Sequence, residues 1–224
     1  MDVRVQKQFI HNPVNLDVKL EEIQIDGKRF YRTPEGDFPS VTTVVGFEKQ
    51  KFFSEWRQKN PEESKRVISR GTKFHSIIEN YINNVPLDYD NMLSNYKALF
   101  SLLKPELDKI DNISAIETPL WSKILGLAGR TDCIAEYDGK LSIIDFKAST
   151  KEKREKDIDN YFMQATAYAL MYQERTGIIV PNFAILIACE DGFKQVFQGN
   201  PLHYVKHLSN TIKKYREANG IHQS

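Results

Sequence analysis

The chain has 224 residues, 41% hydrophobic and 27% charged, an ordinary balance for a globular domain and enough apolar material for one core. No apolar run approaches the roughly 18 residues that a membrane span requires, so a membrane role is not expected. With 31 basic and 30 acidic side chains the formal charge is only +1, and any surface for a polyanion must be local. The first residues lack the apolar core of a secretory signal and the Arg- and Ser-rich pattern of a transit peptide, so a cytoplasmic location is expected. Cys133 and Cys189 lie in apolar alternating stretches and read as small buried thiols. Two thiols cannot supply the four ligands of an iron–sulfur cluster, and none is expected.

Residues 1–40 mix short β-prone pieces with turn signals at Asp26-Gly27 and Thr33-Pro34-Glu35-Gly36, an extended, hairpin-like region. From Ser40 onward, Val44, Phe47, Phe52 and Trp56 recur at near-helical spacing until Pro61, which predicts short helices. Residues 63–83 carry Val67, Phe74, Ile77, Ile78, Tyr81 and Ile82 on one helical face, interrupted at Gly71-Thr72, where a fresh helix capped by Thr72 is expected. His75 and Glu79, four apart, share a face of it. A helix over 89–107 follows, then strands at 113–121, 127–137, 140–147 and 182–190. A helix over 159–175, ended by Gly177, precedes the last strand, and a C-terminal helix falls within 200–224. This order predicts an α/β (α+β) fold, a mixed sheet flanked by helices, in a single domain over 1–224 with its core in 63–190.

Asp138-Gly139, flanked by apolar alternation, is a two-residue hairpin signal and sets a register. If Tyr137 opposes Lys140, then Ile134 opposes Ile143, Asp132 opposes Asp145, and Arg130 opposes Lys147. Two carboxylates directly opposite each other at ~5 Å repel by roughly 3 kcal/mol at an effective dielectric of about 20. Such a pair either raises one pKa or calls for a cation between the two, and hard oxygen ligands select Mg²⁺ or Mn²⁺. Lys147 points to the same face as Asp145, where an ammonium can orient water and stabilise charge developing on phosphorus. The competing reading is a solvated ion pair near a strand end, which a one-residue slip of register would favour.

Gly129-Arg130-Thr131-Asp132 followed by Ile143-Ile144-Asp145-Phe146-Lys147 resembles the PD-(D/E)XK nucleases, specifically their RecB-like exonuclease branch. Upstream, Gly71-Thr72-Lys73-Phe74-His75 is similar to that branch's helical histidine motif, and Gln164-Ala165-Thr166-Ala167-Tyr168 is similar to its Gln-x-x-x-Tyr helix. The likeness covers about residues 30–190 and is nearest to small stand-alone exonucleases of mitochondria and bacteriophages. It implies the restriction-endonuclease-like fold and a metal-dependent DNA exonuclease that prefers single strands, serving replication, recombination or repair, and phage-encoded. The alternatives are a structure- or sequence-specific endonuclease on the same fold and a catalytically silent DNA-binding module.

By the same resemblance, Asp132, Asp145 and the backbone carbonyl of Phe146 ligate Mg²⁺, for which Mn²⁺ substitutes, and Lys147 positions the attacking water. His75 adds a nitrogen ligand or a water contact, and Glu117 serves a second metal or is an exposed strand residue. Gln164 holds substrate or orients Lys147. Tyr168 contacts DNA or packs. Arg70, Lys73 and Arg130 are expected to hold phosphates, whereas the run from Lys151 to Lys156 reads as a solvated loop. Phe52, Phe53 and Trp56 either stack on unpaired bases or, for most of them, join the core. Protein partners are not legible.

Overall fold

In the computed structural model, residues 6–16 and 18–221 are described. The N-terminal region forms a three-stranded antiparallel meander, β1 Glu21–Ile25, β2 Lys28–Thr33 and β3 Gly36–Pro39. Ser40 then caps α1, Val41–Val45, its hydroxyl accepting the Thr43 amide at 3.0 Å. Helix α2, Phe47–Lys59, follows, and Pro61 opens α3, Pro61–Ile82.

Helix α3 runs unbroken through Gly71, against the expectation of a restart capped by Thr72, whose hydroxyl instead bonds back to the Ile68 carbonyl at 3.2 Å. A mid-helix glycine costs about 1 kcal/mol. Burial of Phe74, Ile77, Ile78, Tyr81 and Ile82 outweighs it several times over. Helix α4 covers only Ser94–Leu107, shorter at its start than predicted. There the Asp88 carboxylate takes the Asn91 amide and side chain, a local bond that competes with helix.

The central sheet holds β4 Ile110–Ser122, β5 Leu127–Tyr137, β6 Lys140–Ser149, β7 Asn182–Cys189 and β8 Lys194–Gly199, in that order. Strands β4, β5 and β6 form an antiparallel meander, and α5, Asp159–Thr176, carries the chain over to parallel β7. Strand β8, short and half-buried at the sheet's edge, was not foreseen. Helix α6, Val205–Ala218, is the C-terminal helix. The mixed sheet flanked by helices is the fold that the resemblance implies.

Alternation along the strands builds two cores. Ile134, Ile143, Ile185 and Ile187 face α1, α5 and α6, while Cys133, Ile144, Phe146 and Leu186 face α3 and α4. Both cysteines are buried and free. Tyr31 packs with Trp121 and Ala128, which seats the N-terminal meander beside the sheet. Among the described residues no helix is long and apolar enough to cross a membrane.

Candidate active site

Asp138 and Gly139 take φ of 51° and 74°, the left-handed pair that a tight hairpin turn demands. From that turn the β5–β6 ladder runs in the expected register, Tyr137↔Lys140 to Cys133↔Ile144, and stops there. One step on, where that register would set Asp132 opposite Asp145, no pair forms, and the Asp132 Oδ2 accepts the Phe146 amide at 2.9 Å in place of a ladder bond. Arg130 and Lys147 are not paired: Arg130 opposes Pro119 of β4 and Lys147 opposes Ile187 of β7.

On the other side of Asp132, the pairs Ile116↔Cys133 and Thr118↔Thr131 bracket Glu117, which makes no ladder pair and has a left-handed φ of 44°. That conformation costs a residue with a Cβ about 1–2 kcal/mol, and strain of this kind gathers at functional sites. Glu117, Asp132 and Asp145 thus form one row across three strands.

Helix α3 brings His75 to this row, its Nδ1 lying 3.6 Å from Asp132 Oδ2 and 3.9 Å from Glu117 Oε1. Helix α5 brings Gln164, whose amide donates to Asp145 Oδ1 at 2.8 Å, the same oxygen that accepts the Lys147 ammonium at 2.6 Å. Gln164 therefore orients Asp145 and reaches Lys147 only through it. Tyr161, one turn before Gln164, places its ring centroid 5.2 Å from the Lys147 ammonium, a cation–π contact that sequence reasoning missed. Its i, i+3 spacing to Gln164 is the one signal that marks it.

Burial pushes the Asp145 carboxyl up and the Asp132 charge adds to this, while Lys147 opposes; the result is a pKa raised to about 6. Burial disfavours charge on His75, but Asp132 and Glu117 outweigh it and hold the imidazole above its ordinary range.

The residues present fit a divalent cation. Three carboxylates meet one partly buried ammonium, so the row is short of positive charge. Asp145 is only 2% exposed, and its Oδ2 is buried without a hydrogen-bond partner. A charged oxygen left so is costly unless a cation answers it. One ligand atom each from His75, Glu117 and Asp132 lie within 4.8 Å of one another.

Glu117, Asp132, His75, Lys147 and Gln164 line a cleft of 510 Å³, with Asp145 buried behind its lining, and the rim includes exposed Arg130, its guanidinium bonded to the Glu117 carbonyl at 3.0 Å. Arg29, Thr42, Thr72 and Glu79 also line it. Arg29 arrives on β2 of the N-terminal meander and Thr42 on α1, through packing that no local pattern announces. A larger apolar groove of 580 Å³ lies against α6 and holds no such cluster. Of the expected phosphate contacts, Arg70 and Lys73 are not at the cleft. Arg70 is buried and bonds Glu190 Oε2 at 2.5 Å and Thr150 at 3.1 Å, while exposed Lys73 lines a different groove with Pro86 and Tyr96.

Tyr168 is buried at the cleft floor, tight against Gly129. A Cβ added at Gly129 would lie 2.7 Å from the Tyr168 hydroxyl and 3.0 Å from its ring. This is the physical reason for glycine in that motif. Gly129→Ala is expected to cost about 1–3 kcal/mol by overpacking. Tyr168→Phe in the same chain should return part of it; thermal melts of the single and double variants check this, and no loss in Gly129→Ala would refute the close approach.

A family model described as the PD-(D/E)XK nuclease superfamily matches residues 96–207, half of the chain, and that stretch holds Glu117, Asp132, Asp145, Lys147 and Gln164. The chain is similar to mitochondrial genome maintenance exonuclease 1 of Homo sapiens, 28% identical over 174 residues, which cover 69% of this chain and 50% of that protein. It is similar also to the protein of that name from Xenopus tropicalis, 24% identical over 205 residues covering 82% of this chain and 59% of that one. The chain thus spans about half the length of the curated relatives it matches. The crystal structure of SSO0001 overlaps it with a TM-score of 0.42 and 15% identity, covering 78% of this chain and 75% of that one. With half its length matched, Asp132 and Lys147 of the motif lining one cleft, and Asp145 bonded to that lysine, the chain belongs to the PD-(D/E)XK nuclease superfamily.

Proposed function

We propose that the chain hydrolyses DNA phosphodiester bonds from strand ends, preferring single strands, with Mg²⁺ as its metal and Mn²⁺ able to replace it. The observation that carries this reading is the buried, partnerless Oδ2 of Asp145 at the end of a row of carboxylates, beside Lys147. End preference follows the relatives, which are named exonucleases.

Asp132, Asp145 and the Phe146 carbonyl would hold the ion, with His75 and Glu117 adding donors from the same row. When bound, such an ion supplies Lewis-acid stabilisation to a phosphoryl oxygen. Lys147 steadies the attacking water and the charge that grows on phosphorus, held in place by Asp145 below and the Tyr161 ring beside it. Gln164 fixes the Asp145 rotamer so that Oδ1 faces the ammonium and Oδ2 remains for the ion. Arg130 at the rim meets a backbone phosphate.

The test follows end-labelled linear and circular single-stranded DNA with the purified protein, in Mg²⁺ and in EDTA. Loss of the linear strand alone, stopped by chelator, is the expected result. Cutting of the circle would replace the exonuclease with an endonuclease. Binding without cutting of single or double strands would replace it with a DNA-binding module.

A further inference from the structure

Arg29 and Thr42 line the cleft, and both also line a second groove, of 260 Å³, between the β1–β2 turn and α2. Lys28, Arg29 and Arg57 bring three cations to this groove, Phe53 brings an aromatic ring, and no carboxylate lines it. Lys28 bonds the Asn219 side chain and Arg29 pairs with Glu22, whereas Arg57 has no ion-pair partner among the described residues.

Helix α2 is unusual in burying none of its 13 residues, although it carries Phe47, Phe52, Phe53 and Trp56. Phe53 is 47% exposed and Phe52 65%, their rings meeting edge to face at 5.5 Å. Aromatic surface left in water among three cations, one of them without an ion-pair partner, in a groove that shares Arg29 and Thr42 with the candidate cleft, has one chemical complement in view. A single strand offers phosphates at regular intervals and bases with free faces, whereas a duplex hides those faces in its own stack. An acidic protein partner would answer the cations but not the exposed ring.

We propose that this groove holds the single-stranded stretch of substrate that leads into the cleft, with phosphates against Arg29 and Arg57 and a base stacked on Phe53. The assignment rests on the nuclease reading above and names where its substrate lies outside the reacting bond. It also gives Phe53, expected either to stack or to join the core, the first of those roles.

The test is fluorescence anisotropy of a labelled oligothymidylate titrated with the full chain in Mg²⁺, in the Asp145→Asn background so that the strand is not consumed. Phe53→Ala is expected to weaken binding about tenfold, the effect of one lost stacked base. Phe53→Trp should restore it, since a broad aromatic face is what matters. Arg57→Gln should reduce the slope of log affinity against log salt by about 0.7, as for one phosphate contact on a single strand. Both variants alter exposed side chains, and thermal melts check that they fold. Wild-type affinity and salt slope in Phe53→Ala and Arg57→Gln would overturn the groove while leaving the nuclease reading intact. An equal loss on blunt duplex would overturn the single-strand assignment. A parent chain that neither binds the oligonucleotide nor, with Asp145 restored, cuts DNA would sink both.

Discussion

If the chain hydrolyses DNA as proposed, Asp145→Asn is expected to lower that activity by about 10³-fold or more, because it removes a carboxylate charge from the row and the counter-charge that holds Lys147. A neutral amide keeps the size of the side chain, so a folded protein is expected, and a thermal melt provides the check. The melt also supplies a readout that does not depend on turnover. A ligand that binds only the native state stabilises it by about 2.7 kcal/mol at a hundred times its dissociation constant. Addition of Mg²⁺ should therefore raise the melting temperature of the wild type and leave that of Asp145→Asn nearly unmoved. Full activity in the variant, or an equal rise in both proteins, would remove Asp145 from the site.

Glu106→Gln is expected to cost about 3 kcal/mol near neutral pH, although Glu106 does not line the cleft. Glu106 is buried on α4, where its carboxylate accepts Lys109 at 2.7 Å, Lys194 at 2.6 Å and the Tyr137 hydroxyl at 2.6 Å. It ties α4 to strands β5 and β8. Burial alone would raise its pKa, but the two ammonium groups and the hydroxyl outweigh burial and hold it down at about 2, against an ordinary 4.5. A depressed carboxylate contributes stability that is whole above the unfolded value and is lost as pH falls toward the folded one. The wild type should therefore lose stability between pH 4.5 and about 2, a limb that Glu106→Gln flattens. In a chain of this size the loss corresponds to a melting temperature lower by roughly 6–12 °C at neutral pH. Denaturant melts from pH 7 to pH 2 would test this, and parallel curves for the two proteins would refute it.

Much of the site is legible in local chemistry. Asp138-Gly139 admits one tight turn, and that turn alone aligns β5 with β6 as far as Cys133↔Ile144. The helix that Gly177 ends carries Gln164 to the same face as Asp145. Departures begin where tertiary packing outweighs a local rule. Gly71 does not break α3, because the apolar face beyond it is pressed into the core. Arg70, one residue before that glycine, is drawn to Glu190 at the end of β7, a partner 120 positions away that no helical pattern reveals. The parting of β5 and β6 at Asp132 and the left-handed Glu117 are irregularities of single residues inside strands that alternation reads as continuous. Phe52 and Phe53 look like core by composition, yet both stay exposed on α2, which buries none of its residues.

The bond from the Phe146 amide to Asp132 gives one atom two duties. Asp132 Oδ2 replaces a missing strand partner, and it is also the oxygen nearest His75 Nδ1. Whatever draws that carboxylate toward the cleft loosens its hold on an interior peptide group, and whatever anchors it tightens that hold. Deuterium exchange at the single amide of Phe146 would therefore act as a gauge of the site, reading occupancy from the sheet side with no substrate present. For the same reason, truncation of Asp132 would disturb folding and chemistry together, and Asp145 is the cleaner place to separate them.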